Sequence, residues 1–267
     1  MTDSIFLADG ERFMPTEHSR GPWDPRALHG GAPAALMTSA FERMEPGSDL
    51  HIARLGFELL RPIPFAPLSL STRIVRAGRR VQELAGELTA ASDGDGPAEQ
   101  LICRASALRV REVPAGLPST VPAEERMPPP DAGEEIRFAL EQSDRDSFAA
   151  SAMEMRWLSD PWALGPGRVW MRLRHPLLPG QPLTPLARLA ATADFGNGVS
   201  AALPFDRFLF INADLTVHLQ RQPQGEWIGL DARTLLHGGG TGLAESVLHD
   251  AHGVVGRAFQ TLVVQPR

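Results

Sequence analysis

Cysteine occurs once in the 267 residues, at Cys103, which excludes an internal disulfide framework and any cysteine-cluster metal site. This usage points to a reducing compartment or to indifference about redox state, with the cytoplasm as the expected location. Long apolar runs are missing too, since no stretch approaches the roughly 20 residues that cross a bilayer. The opening Met1-Thr2-Asp3-Ser4 lacks the basic and apolar regions of a secretion signal. Neither secretion nor membrane insertion is expected. Basic clusters are equally scarce: the net charge is −6 and the arginines are scattered, so no stripe suited to nucleic acid is present. A few local arginines or a helix N-terminus still suffice to hold the phosphates of a smaller ligand.

Several catalytic signatures are absent as well. No G-x-S-x-G, H-E-x-x-H, C-x-x-C or G-x-x-x-x-G-K-[ST] pattern occurs, which removes serine-hydrolase, zincin and P-loop readings and leaves no expected metal or cofactor. The run His237-Gly238-Gly239-Gly240-Thr241-Gly242 lies between two strand patterns and opens no helix, so it reads as a hairpin turn. Cys103 sits in an alternating strand, Leu101-Ile102-Cys103-Arg104, with nothing nearby to depress its pKa; it reads as a packed thiol and not a nucleophile.

What is present is a chain in two halves. Pro114, Pro118, Pro122, Pro128, Pro129 and Pro130, with Gly116 and Gly133, mark an extended linker. We expect an N-terminal repeat over 1–112, the linker over 113–148 and a C-terminal repeat over 149–267. Each half reads as a short N-terminal strand, a helix of small residues and four alternating strands. In the first half the helix spans Gly30–Arg43 and is apolar nearly all round, so it should be buried. The strands follow at about His51–Arg61, Leu68–Ala77, Arg80–Ala91 and Gln100–Arg111, the last two joined by the turn-forming residues 92–97. In the second half Thr184 caps a helix that begins at Pro185 and is closed by Gly196, and the strands lie at about Phe210–Arg221, Trp227–Leu236, Gly242–Asp250 and Gly253–Val264.

The halves align by position: Arg54-Leu55 with Asp214-Leu215, Gly78 with Gly238, and Arg104-Ala105 with Arg257-Ala258. The order of elements reads as one internal duplication. A helix followed by an antiparallel sheet must be buried in the sheet's concave face, and two such units side by side make one continuous sheet. The alignment also exposes an asymmetry. Asn212 stands opposite Ile52 and Gln260 opposite Ala107, so polar residues occupy one half where apolar ones occupy the other. A buried amide without partners would cost roughly 1–3 kcal/mol, which favours one active site per chain.

Trp23-Asp24-Pro25, His29-Gly30-Gly31-Ala32-Pro33-Ala34-Ala35-Leu36 and Leu186 through Gly198 (LARLAATADFGNG) resemble the acyl-CoA thioesterase II-like family of tandem hotdog proteins. The resemblance continues through Phe210–Leu219, Leu243-Ala244-Glu245-Ser246 and Gly256–Leu262. It implies an α+β double hotdog, two tandem repeats forming a continuous antiparallel sheet around two central helices, and hydrolysis of an acyl-CoA thioester. By motif position, the family's water-orienting Asp, hydroxyl residue and Gln fall on Asp194, Asn212 and Gln260, with Asn212 departing from the hydroxyl. An amide both donates to and accepts from water, and a carboxylate beside two such amides is suited to aiming water at a carbonyl carbon. The thiolate leaving group has a conjugate-acid pKa of about 8.5 if it behaves like cysteine, so no strong general acid is needed.

The start of the first helix, His29-Gly30-Gly31, supplies unpaired N–H groups and is the expected oxyanion and substrate-binding region, with Gly30 and Gly31 as donors. His29 itself reads as a cap or packing residue before a general base. Two other functions remain open. One is a non-catalytic acyl-CoA binding module, suggested by the Asn212 departure. The other is an enoyl-CoA hydratase or dehydratase, ranked third because no Asp and His pair precedes the second helix at close spacing. Exposed sheet edges, by analogy with the fold, lead us to expect a homodimer.

Overall fold

A computed structural model describes residues 3–45, 47–91, 98–113, 117–118, 126–137 and 147–267. The first half opens with a hairpin, β1 (Phe6–Asp9) and β2 (Arg12–Pro15), where one short strand was expected. Helix α1 (Gly31–Glu42) follows, then β3 (Leu50–Leu59), β4 (Leu68–Arg76), β5 (Val81–Ala91) and β6 (Glu99–Arg111). After β7 (Glu134–Glu135) the second half repeats the order with β8 (Met153–Trp157), β9 (Gly167–Leu173), α2 (Pro185–Ala193) and a short α3 (Gly196–Val199). It ends with β10 (Phe208–Asn212), β11 (Asp214–Leu219), β12 (Ile228–His237), β13 (Thr241–Asp250) and β14 (Gly253–Pro266). Most of the expected linker, and the 92–97 turn, lie outside the described residues.

All the strands join one antiparallel sheet, in the order β1-β2-β4-β5-β6-β3-β11-β14-β13-β12-β9-β8-β7, with β10 also on β14. The two halves meet where β3 pairs with β11, Arg54 opposite His218, Gly56 opposite Thr216 and Glu58 opposite Asp214. Gly56 and Thr216 are themselves equivalent under the alignment that sets Arg54 on Asp214. The approximate two-fold axis relating the repeats therefore passes through that pair. The sheet curls far enough that the N–H groups of Ile5 and Phe6 donate to the carbonyls of Pro176 and Leu177, at 3.0 and 2.9 Å.

Both helices lie inside this curl. In α1, Ala32, Ala35, Leu36, Met37 and Phe41 are fully buried, as expected for a helix apolar on nearly every side. Thr184 caps α2, its hydroxyl accepting from the Ala187 N–H at 3.1 Å, with Pro185 at the first helical position. Gly196 does not end the helical path as expected; it opens α3 after a break at Asp194 and Phe195. The two long helices run antiparallel in close contact. A Cβ on Gly31 would lie 2.5 Å from the Ala191 carbonyl oxygen, so only glycine permits this approach. At the other end the Thr184 hydroxyl donates to Glu42 at 2.6 Å.

The strand read as Phe210–Arg221 is in fact broken. Asn212 pairs with Leu262, but Thr216 pairs with Phe259, so one extra residue is inserted around Ala213. The first half carries the same irregularity, with Ile52 opposite Arg109 and Arg54 opposite Leu108. The bulge reverses which face alternate residues occupy. Before it, Phe210 is buried; after it, Leu215 and Val217 are. Unbroken alternation would have put Asn212 on the same face as Thr216 and His218, away from the helices.

Candidate functional site

The bulge turns Asn212 inward, and β14 presents Gln260 on its buried face between Ala258 and Leu262. Both meet Asp194 at the end of α2. Asn212 Nδ2 donates to Asp194 Oδ1 at 2.8 Å. Gln260 Nε2 donates to the Asp194 carbonyl oxygen at 3.1 Å and reaches Oδ1 at 3.4 Å. Asp194 is 5% exposed and Gln260 1%. The three residues picked out by motif position are thus in direct contact, and among the described residues no hydrogen bond engages Asn212 Oδ1.

The first half closes the site. Gly30 lies so near that a Cβ there would fall 2.8 Å from Asp194 Oδ2, so the start of α1, with its partial positive charge, faces the carboxylate. His29 Nδ1 lies 3.0 Å from Asp194 Oδ2 and 3.1 Å from the Gly31 nitrogen. A single ring nitrogen cannot donate to the carboxylate while accepting from the amide, so these contacts are alternatives. With its proton on Nδ1, His29 donates to Asp194 and leaves the Gly31 N–H for another acceptor. With Nδ1 bare, the Gly31 N–H is held by the ring. The proton on His29 therefore decides whether the Gly31 N–H is free to meet another acceptor. The Gly30 N–H takes no partner among the described residues.

The His29 ring is held by stacking on Phe195, with centroids 4.3 Å apart, and by Phe148 at 5.0 Å. Its backbone N–H donates to the Ser19 carbonyl, and the Phe148 N–H donates to that of the next residue, Arg20, both at 3.0 Å. A single short turn thus fixes the histidine and the aromatic beside it. Trp23 packs edge-on to Phe210, at 5.4 Å, on the strand that carries Asn212.

His29 and Asp194 form an Asp and His pair that reaches across the two repeats. Its members lie far apart in sequence, one before α1 and one at the end of α2, so local spacing does not reveal it. Phe148, Phe195, Gly196 and Asn197 were likewise not among the expected site residues. Asn197 donates its backbone N–H to Gln260 Oε1 at 3.0 Å. Cys103 is a packed thiol, as read: burial pushes it up to about 12, with the charges of Asp194 and Glu58 adding to the effect.

The equivalent location at the opposite end of the helix pair is filled differently. Pro33 and Pro185 align within the two helices, which sets Glu42 on Asp194. Ile52 and Ala107, the counterparts of Asn212 and Gln260, are 3% and 0% exposed. Arg109 is buried there and donates to the α1 carbonyl of Phe41, to that of Met44 at 2.8 Å and to Gln82 Oε1 at 3.2 Å. Burial raises the Glu42 carboxyl above its usual range, opposed by the Thr184 hydrogen bond and by the charges of Arg43 and Arg109. Among the described residues, only one end of the helix pair brings a carboxylate together with two side-chain amides and a histidine. No group of three or more His, Cys, Asp or Glu residues suited to a metal ion occurs among the described residues.

Solved structures of similar shape span nearly the whole chain. A candidate thioesterase from Novosphingobium aromaticivorans has a TM-score of 0.72 at 20% identity, over 97% of this chain and 98% of its own. A candidate thioesterase II from Thermobifida fusca has a TM-score of 0.72 at 18% identity, over 98% and 96%. An acyl-CoA thioesterase II from Mycobacterium marinum has a TM-score of 0.64 at 18% identity, over 91% and 92%. At such identities the likeness speaks for the fold, the double hotdog expected from the sequence. No curated protein matches the chain. The family model for the acyl-CoA thioesterase N-terminal domain matches residues 19–110, and that for the acyl-CoA thioesterase C-terminal domain matches residues 122–264, by itself more than half of the length. The chain belongs to the acyl-CoA thioesterase family.

Proposed function

We propose that this protein hydrolyses an acyl-CoA thioester to the free acid and CoA, using a water molecule activated at Asp194. The observation that carries this reading is the convergence of Asp194, Asn212 and Gln260 opposite the Gly30-Gly31 turn. Asp194 takes the proton of the attacking water, while the Asn212 and Gln260 amides fix the water's orientation toward the thioester carbon. The N–H groups of Gly30 and Gly31 receive the developing oxyanion, Gly31 when His29 holds its proton toward Asp194. The thiolate then leaves without a dedicated acid. In this reading residues 1–112 and 149–267 are the two hotdog repeats and 113–148 joins them, the second repeat supplying the carboxylate and both amides.

The His29–Asp194 contact at 3.0 Å favours a second reading, hydration of an enoyl-CoA, in which the same pair would move protons on and off water and the α-carbon. One experiment separates the two. The protein is incubated with a saturated acyl-CoA and with a short enoyl-CoA while free thiol and the conjugated enoyl absorbance are followed together. Thiol release supports hydrolysis; loss of enoyl absorbance with no thiol supports hydration. Binding of acyl-CoA with neither change would leave the non-catalytic binding module as the function.

Gly196 offers a test of geometry. A Cβ there would lie 2.7 Å from Gln260 Oε1 and 2.8 Å from Ser246 Oγ, so Gly196→Ala must displace the Gln260 amide. Misplacement on the scale of 1 Å lowers turnover by about 10²-fold, and that loss in kcat, with the fold intact by circular dichroism, is the expected result. An unchanged kcat would mean that the Gln260 amide takes no part.

We read the cytoplasm as the protein's location and a homodimer as its assembled state. The dimer is supported by an apolar strip on the outer sheet face. Leu235 pairs with Leu243, and Ile211 with Val263, and these side chains are 39–54% exposed. The Arg233–Glu245 ion pair beside the strip offers both signs of charge, as a two-fold related copy requires. Sedimentation should give a dimer that Leu235→Glu converts to monomer; a wild-type protein that sediments as a monomer at micromolar concentration would overturn the assignment.

A further inference from the structure

We infer that Asn197 is a positioning residue that sets the two site amides relative to each other, resting on the proposed role of those amides in aiming water. The side chains of Asn212 and Gln260 come from different strands, β10 and β14. Asn197 holds both. Its backbone N–H donates to Gln260 Oε1 at 3.0 Å, and its side-chain Nδ2 donates to the Phe210 carbonyl at 3.0 Å, two residues before Asn212.

The first bond decides which way round the Gln260 amide sits. With Oε1 committed to an N–H, the NH₂ end must point to Asp194, which it meets through the carbonyl at 3.1 Å and Oδ1 at 3.4 Å. The second bond ties α3 to β10 just ahead of the bulge that turns Asn212 inward. Asn197 is 6% exposed, so water does not compete for either bond. Gly196 lets this arrangement form, because a side chain there would occupy the place of Gln260 Oε1. Among the described residues the hydrogen bonds of Asn197 run to Gln260 and Phe210 and none runs to Asp194. Asn197 acts through the two amides.

The test uses full-length Asn197→Asp, which keeps the shape and removes the Nδ2 donor to Phe210, and Asn197→Ala, which removes the side chain; both keep the backbone N–H but free α3, which carries it, from β10. Hydrogen exchange of the side-chain NH₂ groups of Gln260 and Asn212, followed by NMR in ¹⁵N-labelled protein, reads the positioning without requiring any turnover. Both variants are expected to speed exchange at these groups by about tenfold or more, a local opening, while the indole N–H of Trp170, bonded to Pro128 at 2.7 Å on the outer face, keeps its wild-type rate. Unchanged exchange at Gln260 and Asn212 in both variants would overturn the inference, as would equal acceleration at Trp170. In a thiol-release assay kcat should fall by about tenfold with KM kept, and Asn197→Ala should add little loss to a background that lacks both amides, Asn212→Ala with Gln260→Ala. Additive losses would also overturn it. A wild type that releases no thiol would count against the hydrolytic function alone, because the exchange result stands by itself.

Discussion

Asp194→Asn is expected to lower kcat for thioester hydrolysis by about 10²- to 10⁴-fold, the range for removing a positioned general base, with KM changed far less. The substitution keeps the size of the side chain and removes its capacity to take a proton. It also replaces one acceptor oxygen with a donor, next to His29 Nδ1 at 3.0 Å or Asn212 Nδ2 at 2.8 Å. The amide can turn its NH₂ toward His29 and its oxygen toward Asn212, so the fold should survive. Melting temperature and kcat measured side by side test this. A loss of activity that tracks a loss of folded protein would assign Asp194 a structural role instead.

Asp250→Asn is expected to be the most destabilising substitution considered for the scaffold. The Asp250 side chain is fully buried, and both its oxygens meet Arg221, at 2.5 Å each. It also accepts the N–H groups of Gln224 at 3.0 Å and His252 at 2.8 Å. The neighbouring Gln222 donates to the Ile52 carbonyl at 2.8 Å, which links this cluster to the first half. Breaking a buried pair by removing one partner costs about 3 kcal/mol, which corresponds to a fall in Tm of about 6 °C for a chain of this length.

The pH dependence of that effect has a definite sign. Burial opposes the Asp250 charge, but the hydrogen bonds from Arg221, His252 and Gln224, with the Arg221 charge, outweigh it and hold the carboxyl below its usual range. The folded chain then binds fewer protons than the unfolded chain as this group titrates, so stability rises with pH there. The contribution is complete above the ordinary carboxylate value of about 3.9 and is lost as pH falls through the folded value. The Tm gap between wild type and Asp250→Asn should therefore be wide at neutral pH and narrow in acid. A gap independent of pH would place the effect in packing.

Much of this architecture is legible in the sequence because it rests on local signals. Thr184-Pro185 marks the start of α2 through capping chemistry, and the small apolar residues of α1 foretell its burial. The equivalence of Gly56 and Thr216 follows from the repeat alignment, and β3 and β11 then pair about that point. The site is only partly legible. Asp194, Asn212 and Gln260 were named by motif position, but the way Asn212 reaches the others depends on the bulge at Ala213, which side-chain alternation does not encode. The same bulge at Ala53 shows it to be a property of the repeat, visible only when the pairings of both halves are compared.

The contacts of His29 and Asn197 were hidden for a different reason. His29 and Asp194 come from opposite ends of the chain's two helices and meet only because α1 and α2 lie antiparallel. Asn197 lies within the stretch Asp194-Phe195-Gly196-Asn197-Gly198, where Gly196 read as a helix terminator. It instead opens a further short helix, and that turn aims the Asn197 N–H at Gln260. Long-range pairing decides such roles, and local propensity carries no record of it.

The central claim is most directly tested by incubating wild-type protein and Asp194→Asn with acyl-CoAs of graded chain length and measuring free CoA and free acid together. Equal amounts of CoA and acid from the wild type on at least one chain length, with release by the variant reduced about 10²-fold or more, is the predicted result. Release that is the same in both proteins, or absent from the wild type at every chain length, would contradict it.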